Sequence, residues 1–158
     1  MLLTGLLPDI TTDPAIETAI DSVEAGRSGT IVAPVGIRPP LLAAVASRAA
    51  TPLVVLTATG RDAESLTNAL ASWIPGVAML PAWETLPHER LSPQVDTMAR
   101  RIAVLRRLVH PIKGDDSAGP VSVLVVPIRA FLQPIISGLA DLEPVRVRTG
   151  DVLDLTEA

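Results

Sequence analysis

Apolar residues fall in two rhythms along these 158 residues, runs of four to six and longer stretches at helical spacing. Between Thr12 and Ala25 the helical rhythm holds Ile16, Ala19, Ile20 and Val23, behind a Thr12 or Asp13 cap and with Pro14 in the first turn. Gly26 and Gly29 close it. The β-branched run Thr30–Ala33 predicts a short strand, and Pro39–Ala50, rich in alanine and leucine, a buried helix. Pro52–Thr57 predicts the clearest strand, apolar on both faces as in a parallel sheet covered on each side. Gly60 turns the chain into an amphipathic helix over Arg61–Ile74, with Ala63, Leu66, Leu70 and Trp73 on one stripe.

Val77–Leu80 predicts a third strand, and Pro93–Val109 the longest helix, capped by Ser92. Its expected buried stripe is Val95, Met98, Ile102, Leu105 and Val109. A mobile polar loop, His110–Gly119, leads to a fourth strand, Val121–Val126. A helix over Ile128–Ser137 follows, kinked or broken by Pro134. In Pro144–Thr149, Val145 and Val147 alternate with Arg146 and Arg148, as in a strand with one wet face. Strands alternating with helices four times over predict an α/β fold, an open parallel sheet flanked by helices with right-handed crossovers. The change of pattern near the C-terminus places a boundary at Gly138–Asp141, with the start of a second small domain beyond it.

Composition narrows the function classes. Without cysteine there are no disulfides, thiolate metal sites or Cys–His pairs. The longest apolar runs are far shorter than the ~18 residues of a membrane span. The N-terminus has no basic region ahead of its apolar residues, so no secretory signal and a cytoplasmic location are expected. A net charge of −4 argues against general nucleic-acid affinity. Cations nevertheless crowd between Arg90 and Lys113, where Arg100 and Arg107 share one helical face and Arg101 lies beside them. That face reads as a solvated surface or as a basic ridge for an acidic partner or a DNA backbone. One phenylalanine, two tryptophans and no tyrosine leave no stacking platform for single strands.

In an α/β fold, phosphate would sit on the first strand-to-helix turn, here Pro34-Val35-Gly36-Ile37-Arg38-Pro39-Pro40. A working P-loop needs two glycines, a lysine and a Ser or Thr. This turn offers Gly36 and Arg38 only, and Pro39 and Pro40 lack N–H groups, so it reads as a degenerate nucleotide site. His88 and Glu89 begin an H-E-x-x-H pattern, but Ser92 stands at the second histidine position. Glu84 and His88, four apart, supply two ligands without a third. Asp115 and Asp116 are adjacent in a loop, not paired across a cleft, and there is no G-x-S-x-G. Neither a catalytic residue nor a metal site is predicted.

The most specific segment is Leu80–Pro93, L-P-A-W-E-T-L-P-H-E-R-L-S-P. Its three prolines exclude a ladder strand, so it reads as an ordered connection between a strand and a helix. W-E-T-L-P, a charged pair and then L-S-P resemble the first domain of bacterial transcription-repair coupling factors (Mfd) and, more distantly, the excision-repair protein UvrB. Agreement continues through Asp96, Arg101 and Leu105, through Val123–Pro127, and through Leu132 and Gln133. The resemblance covers about residues 30–150. UvrB keeps a full P-loop where this chain has Pro34–Pro40, and the coupling factors have lost it.

The resemblance implies a degenerate P-loop (RecA-like) fold over residues 26–139, preceded by an N-terminal helical segment, 1–25. Residues 140–158 would begin an inserted UvrA-binding domain. The family's full protein is an ATP-dependent DNA translocase that displaces stalled RNA polymerase and recruits UvrA. ATP and Mg belong to its motor, which also grips double-stranded DNA. This piece would be a non-catalytic scaffold braced against neighbouring domains. Candidate partner contacts are Trp83, Glu84, His88, Arg90, Arg100 and Arg107. The alternative is a self-contained nucleotide- or small-molecule-binding domain, its ligand near Val35–Arg38, Thr57–Arg61 and Pro81–Glu84.

Overall fold

The computed structural model describes residues 2–84, 92–115, 117–141 and 150. It begins with a 3-10 turn, Thr4–Leu6, running into a short helix α1, Leu7–Thr11, which buries Leu7. Neither was expected from the sequence. Helix α2, Pro14–Glu24, follows the predicted pattern: the Asp13 carboxylate accepts from the N–H groups of Ala15 and Ile16, at 2.8 and 3.4 Å, and Ile20 is fully buried. Gly26, at φ +65°, ends it.

Residues 30–33 do not form the predicted strand. They run as irregular chain, with Ile31 54% and Val32 95% exposed and no strand paired with them among the described residues. β propensity alone does not make a strand without a ladder partner. Helix α3, Arg38–Arg48, is buried along Leu41, Ala43, Ala44, Val45 and Ala46. Arg48 ties its end to α2 through Asp21 and Glu24, at 3.3 and 2.8 Å.

The sheet has three parallel strands among the described residues: β1 (Leu53–Thr57), β2 (Val77–Met79) and β3 (Val123–Pro127), in spatial order β1-β3-β2. Leu53 lies opposite Val123, which also lies opposite Val77. Helix α4, Gly60–Leu70, joins β1 to β2, and α5, Val95–Val109, lies between β2 and β3. A short α6, Ile128–Phe131, leaves β3 and stops before Pro134. Being central, β3 is buried throughout.

Two apolar clusters sandwich the sheet. On one face Val123 and Val125 meet α3 (Ala43, Ala44) and α4 (Ala63, Leu70). On the other, Leu124 and Val126 meet Val104 of α5 and Ala130 of α6. This second layer stops short of β1, whose Val54 and Leu56 remain 50% and 47% exposed. Double-sided cover, expected for this strand, is thus achieved on one face only.

Helix α5 is rotated from its predicted orientation and starts later. Gln94 precedes it without a side-chain cap bond, in place of the expected Ser92. The buried positions are Thr97, Arg101 and Val104, whereas Val95, Met98, Ile102 and Val109 are exposed. The rotation follows from polar bonding at Thr97 and Arg101, described below. The loop expected to be mobile is a knit turn: the Asp115 carboxylate accepts from the Ser117 and Ala118 N–H groups and the Ser117 hydroxyl, each at 2.8 Å. The fifth strand predicted at Pro144–Thr149 lies outside the described residues.

Candidate functional site: the tryptophan loop and the first turn

In a parallel α/β sheet, loops leaving the carboxyl ends of the strands build the site. Here Leu80–Glu84 leaves β2, α6 leaves β3, and the two are joined. The Trp83 N–H donates to Gln133 Oε1 at 2.8 Å, and Gln133 Nε2 donates back to the Trp83 carbonyl at 3.3 Å. The Gln133 amide thereby takes the place of a neighbouring strand for a segment that Pro81 bars from the ladder. Arg129 Nη2 donates to the Glu84 carbonyl at 3.3 Å.

Helix α5 closes the other side. Arg101, only 2% exposed, donates from Nη1 to the Pro81 carbonyl at 2.6 Å. Its guanidinium carbon lies 4.5 Å from the centroid of the Trp83 ring, a cation–π contact. Its Nε has no partner, and burial lowers the Arg101 pKa. The Thr97 hydroxyl donates to Glu84 Oε1, and this bond is the main cause of a lowered Glu84 pKa. Trp83 and Glu84 are thus held by α5, by α6 and by Gln133 just beyond it. His88 and Arg90 lie outside the described residues.

Arg100 and Arg107 do share a face. It looks onto Ala78 and Met79 of β2, lining a cleft of about 410 Å³ with Glu64, Thr67 and Asn68 of α4. Each is already engaged: Arg100 with Asp96 at 2.8 Å, and Arg107 Nε with the Gly119 carbonyl at 2.9 Å. Arg101, read from the sequence as part of the same ridge, is not on it. It is buried under Trp83, and neither it nor Thr97 was recognised as a site-building residue. The signal was available in their spacing, since Thr97, Arg101, Val104 and Leu108 follow one helical face offset from the apolar one.

The turn Pro34–Pro40 forms a 3-10 turn, Val35–Ile37, leading into α3. At the first helical residue, the Arg38 N–H donates to the Val35 carbonyl, and Pro39 and Pro40 have none to offer. Gly36 and the Arg38 side chain are exposed. Beside them a cleft of about 420 Å³ is lined by Asp9, Asp13, Ile37 and Pro40. At the next turn, the Thr59 hydroxyl accepts from the Asp62 N–H at 3.1 Å and donates to its carboxylate at 2.8 Å, filling the start of α4. Among the described residues no three His, Asp or Glu side chains converge as metal ligands.

Over 125 residues, 77% of this chain, the sequence is 46% identical to the transcription-repair-coupling factors of Mycobacterium bovis and Mycobacterium tuberculosis. This chain is a homologue of the transcription-repair coupling factors. The Escherichia coli coupling factor is 29% identical over 96 residues. The chain spans about a tenth of the mycobacterial proteins' length. No family model matches it. Among the described residues of this coupling-factor homologue no helix is long and apolar enough to cross a membrane.

Proposed function

We propose that this chain is a non-catalytic, UvrB-like scaffold module from the N-terminal part of a transcription-repair coupling factor. In this reading the longer protein is an ATP-dependent DNA translocase that displaces stalled RNA polymerase and recruits UvrA in the cytoplasm. ATP and Mg are handled by its motor and not here. The observation carrying the reading is the first turn: at the start of α3 one N–H is spent on Val35 and the next two residues are prolines. The adjoining cleft presents Asp9 and Asp13, which repel a phosphate. The scaffold role is further supported by the bracing of Trp83 and Glu84 by Gln133, Thr97 and Arg129, which spends the Trp83 backbone N–H, one Glu84 carboxylate oxygen and the Glu84 carbonyl internally.

Calorimetric titration of the chain with Mg-ATP and ADP tests this. No saturable heat is expected at millimolar nucleotide. Saturable binding, abolished by Arg38→Ala, would overturn the scaffold reading and favour a nucleotide-binding domain.

A further inference from the structure

The chain leaving β2 is gripped from two sides, and both grips close on the same short stretch, Pro81–Glu84. From α5, the Thr97 hydroxyl reaches the Glu84 carboxylate, and Arg101 reaches the Pro81 carbonyl and the Trp83 ring. From the exit of β3, Gln133 holds both backbone groups of Trp83, and Arg129 holds the Glu84 carbonyl. The two grips meet at Trp83, where Gln133 takes the main chain and Arg101 the face of the indole.

Burial makes the grips interdependent. Among the described residues the partners of the Arg101 guanidinium are the Pro81 carbonyl and the Trp83 ring, and both belong to this stretch. A guanidinium that loses them while staying buried keeps its desolvation cost with nothing to offset it. If Gln133 lets go, the Trp83 N–H and carbonyl turn to water for their hydrogen bonds, and the indole moves with its backbone. Arg101 then has to leave its site as well. A half-released stretch is therefore less stable than either a fully seated or a fully released one.

We infer that Pro81–Glu84 is a latch that seats and releases as one unit, with Gln133 as its catch and Arg101 as its follower. A side chain with a donor and an acceptor on one planar group serves both Trp83 backbone groups, which assigns the catch to the amide. Release presents the indole and the guanidinium to solvent together, and it loosens the polar link between α5 and the exit of β3. The device is conformational: the state of residue 133 is sensed at residue 101.

Hydrogen exchange followed by NMR tests this at two groups on opposite sides of the latch, the Trp83 backbone N–H and the Arg101 Nε–H. In the unmodified chain one opening exposes both, so their protection factors should agree within about tenfold and share one urea dependence. Gln133→Leu should speed Arg101 Nε–H exchange by more than about threefold. The Ser117 N–H, bonded to Asp115 in a separate turn, should keep its rate. Protection factors further apart than about tenfold in the unmodified chain overturn the inference, as does a smaller change at Arg101 in the variant. Equal acceleration at Ser117 is general loosening of the fold and overturns it too. If Gln133→Leu fails to fold, the comparison within the unmodified chain decides alone.

Discussion

Removing the Arg101 guanidinium is the sharpest test of how the tryptophan loop is held. Arg101→Ala deletes a charge-assisted hydrogen bond to the Pro81 carbonyl, about 1.5–3 kcal/mol. It deletes a desolvated cation–π contact with Trp83, about 1–2 kcal/mol, and the packing of a buried aliphatic stem, about 0.8 kcal/mol per methylene. Against this, the guanidinium buries an Nε without a partner, so its removal returns about 1–3 kcal/mol of desolvation. The net is a loss of about 3 kcal/mol. Arg101→Met keeps the stem and also sheds the desolvation, so its loss should be about 1–2 kcal/mol. Urea unfolding followed by the fluorescence of Trp73 and Trp83 measures both. With m of about 1.5 kcal/mol/M, the midpoint of Arg101→Ala should fall by about 2 M. A Trp83→Leu cycle should return about 1 kcal/mol of coupling. An Arg101→Ala change below about 0.5 kcal/mol, or a methionine variant less stable than the alanine one, would refute the reasoning.

Two further outcomes follow from local geometry. Gly76 sits at φ +75°, and an added Cβ would lie 2.8 Å from the Pro120 carbonyl oxygen, so Gly76→Ala should cost about 2–3 kcal/mol by thermal melting. Asp115 is held below the ordinary carboxylate range, chiefly by the Ser117 hydroxyl and then by the Ala118 and Ser117 N–H groups, and Glu84 chiefly by Thr97. A depressed folded pKa makes the contribution full above the unfolded value, about 4, and lost as pH falls from there through the folded value. Melting temperatures measured below about pH 5 should therefore fall less steeply in an Asp115→Asn/Glu84→Gln variant than in the parent.

Much of this architecture is legible in the sequence because burial, propensity and caps agree. Asp13 and Pro14 start α2 as expected, and the Ala63–Leu70 stripe faces the core. Where they disagree, tertiary contacts win. On α5 the apolar residues Val95, Met98, Ile102 and Val109 outnumber the two polar ones that are buried, yet Thr97 and Arg101 face inward because Glu84 and Pro81 receive their hydrogen bonds. Those acceptors lie 13 and 20 residues upstream in a proline-rich loop, and helical periodicity carries no record of them. Thr30–Ala33 shows the converse case, correct strand chemistry without a ladder partner among the described residues. At the candidate site, the first turn's lack of donors was readable from Pro39 and Pro40. The pairing of Trp83 with Gln133, 50 residues apart, was visible only as two separate points of resemblance.

The placement of β3 sets a timetable for the polypeptide as it is made. Strands β1 and β2 are both paired to β3, and no ladder joins them to each other. Until Val123–Pro127 arrives, neither earlier strand has a parallel partner within this sheet, and the α3–α4 layer has no Val123 or Val125 to close on. Local helices form early and cheaply, whereas the sheet waits for its middle. A nascent chain halted before residue 123 would therefore expose two unmatched strands, and β3 completes both pairings in one event.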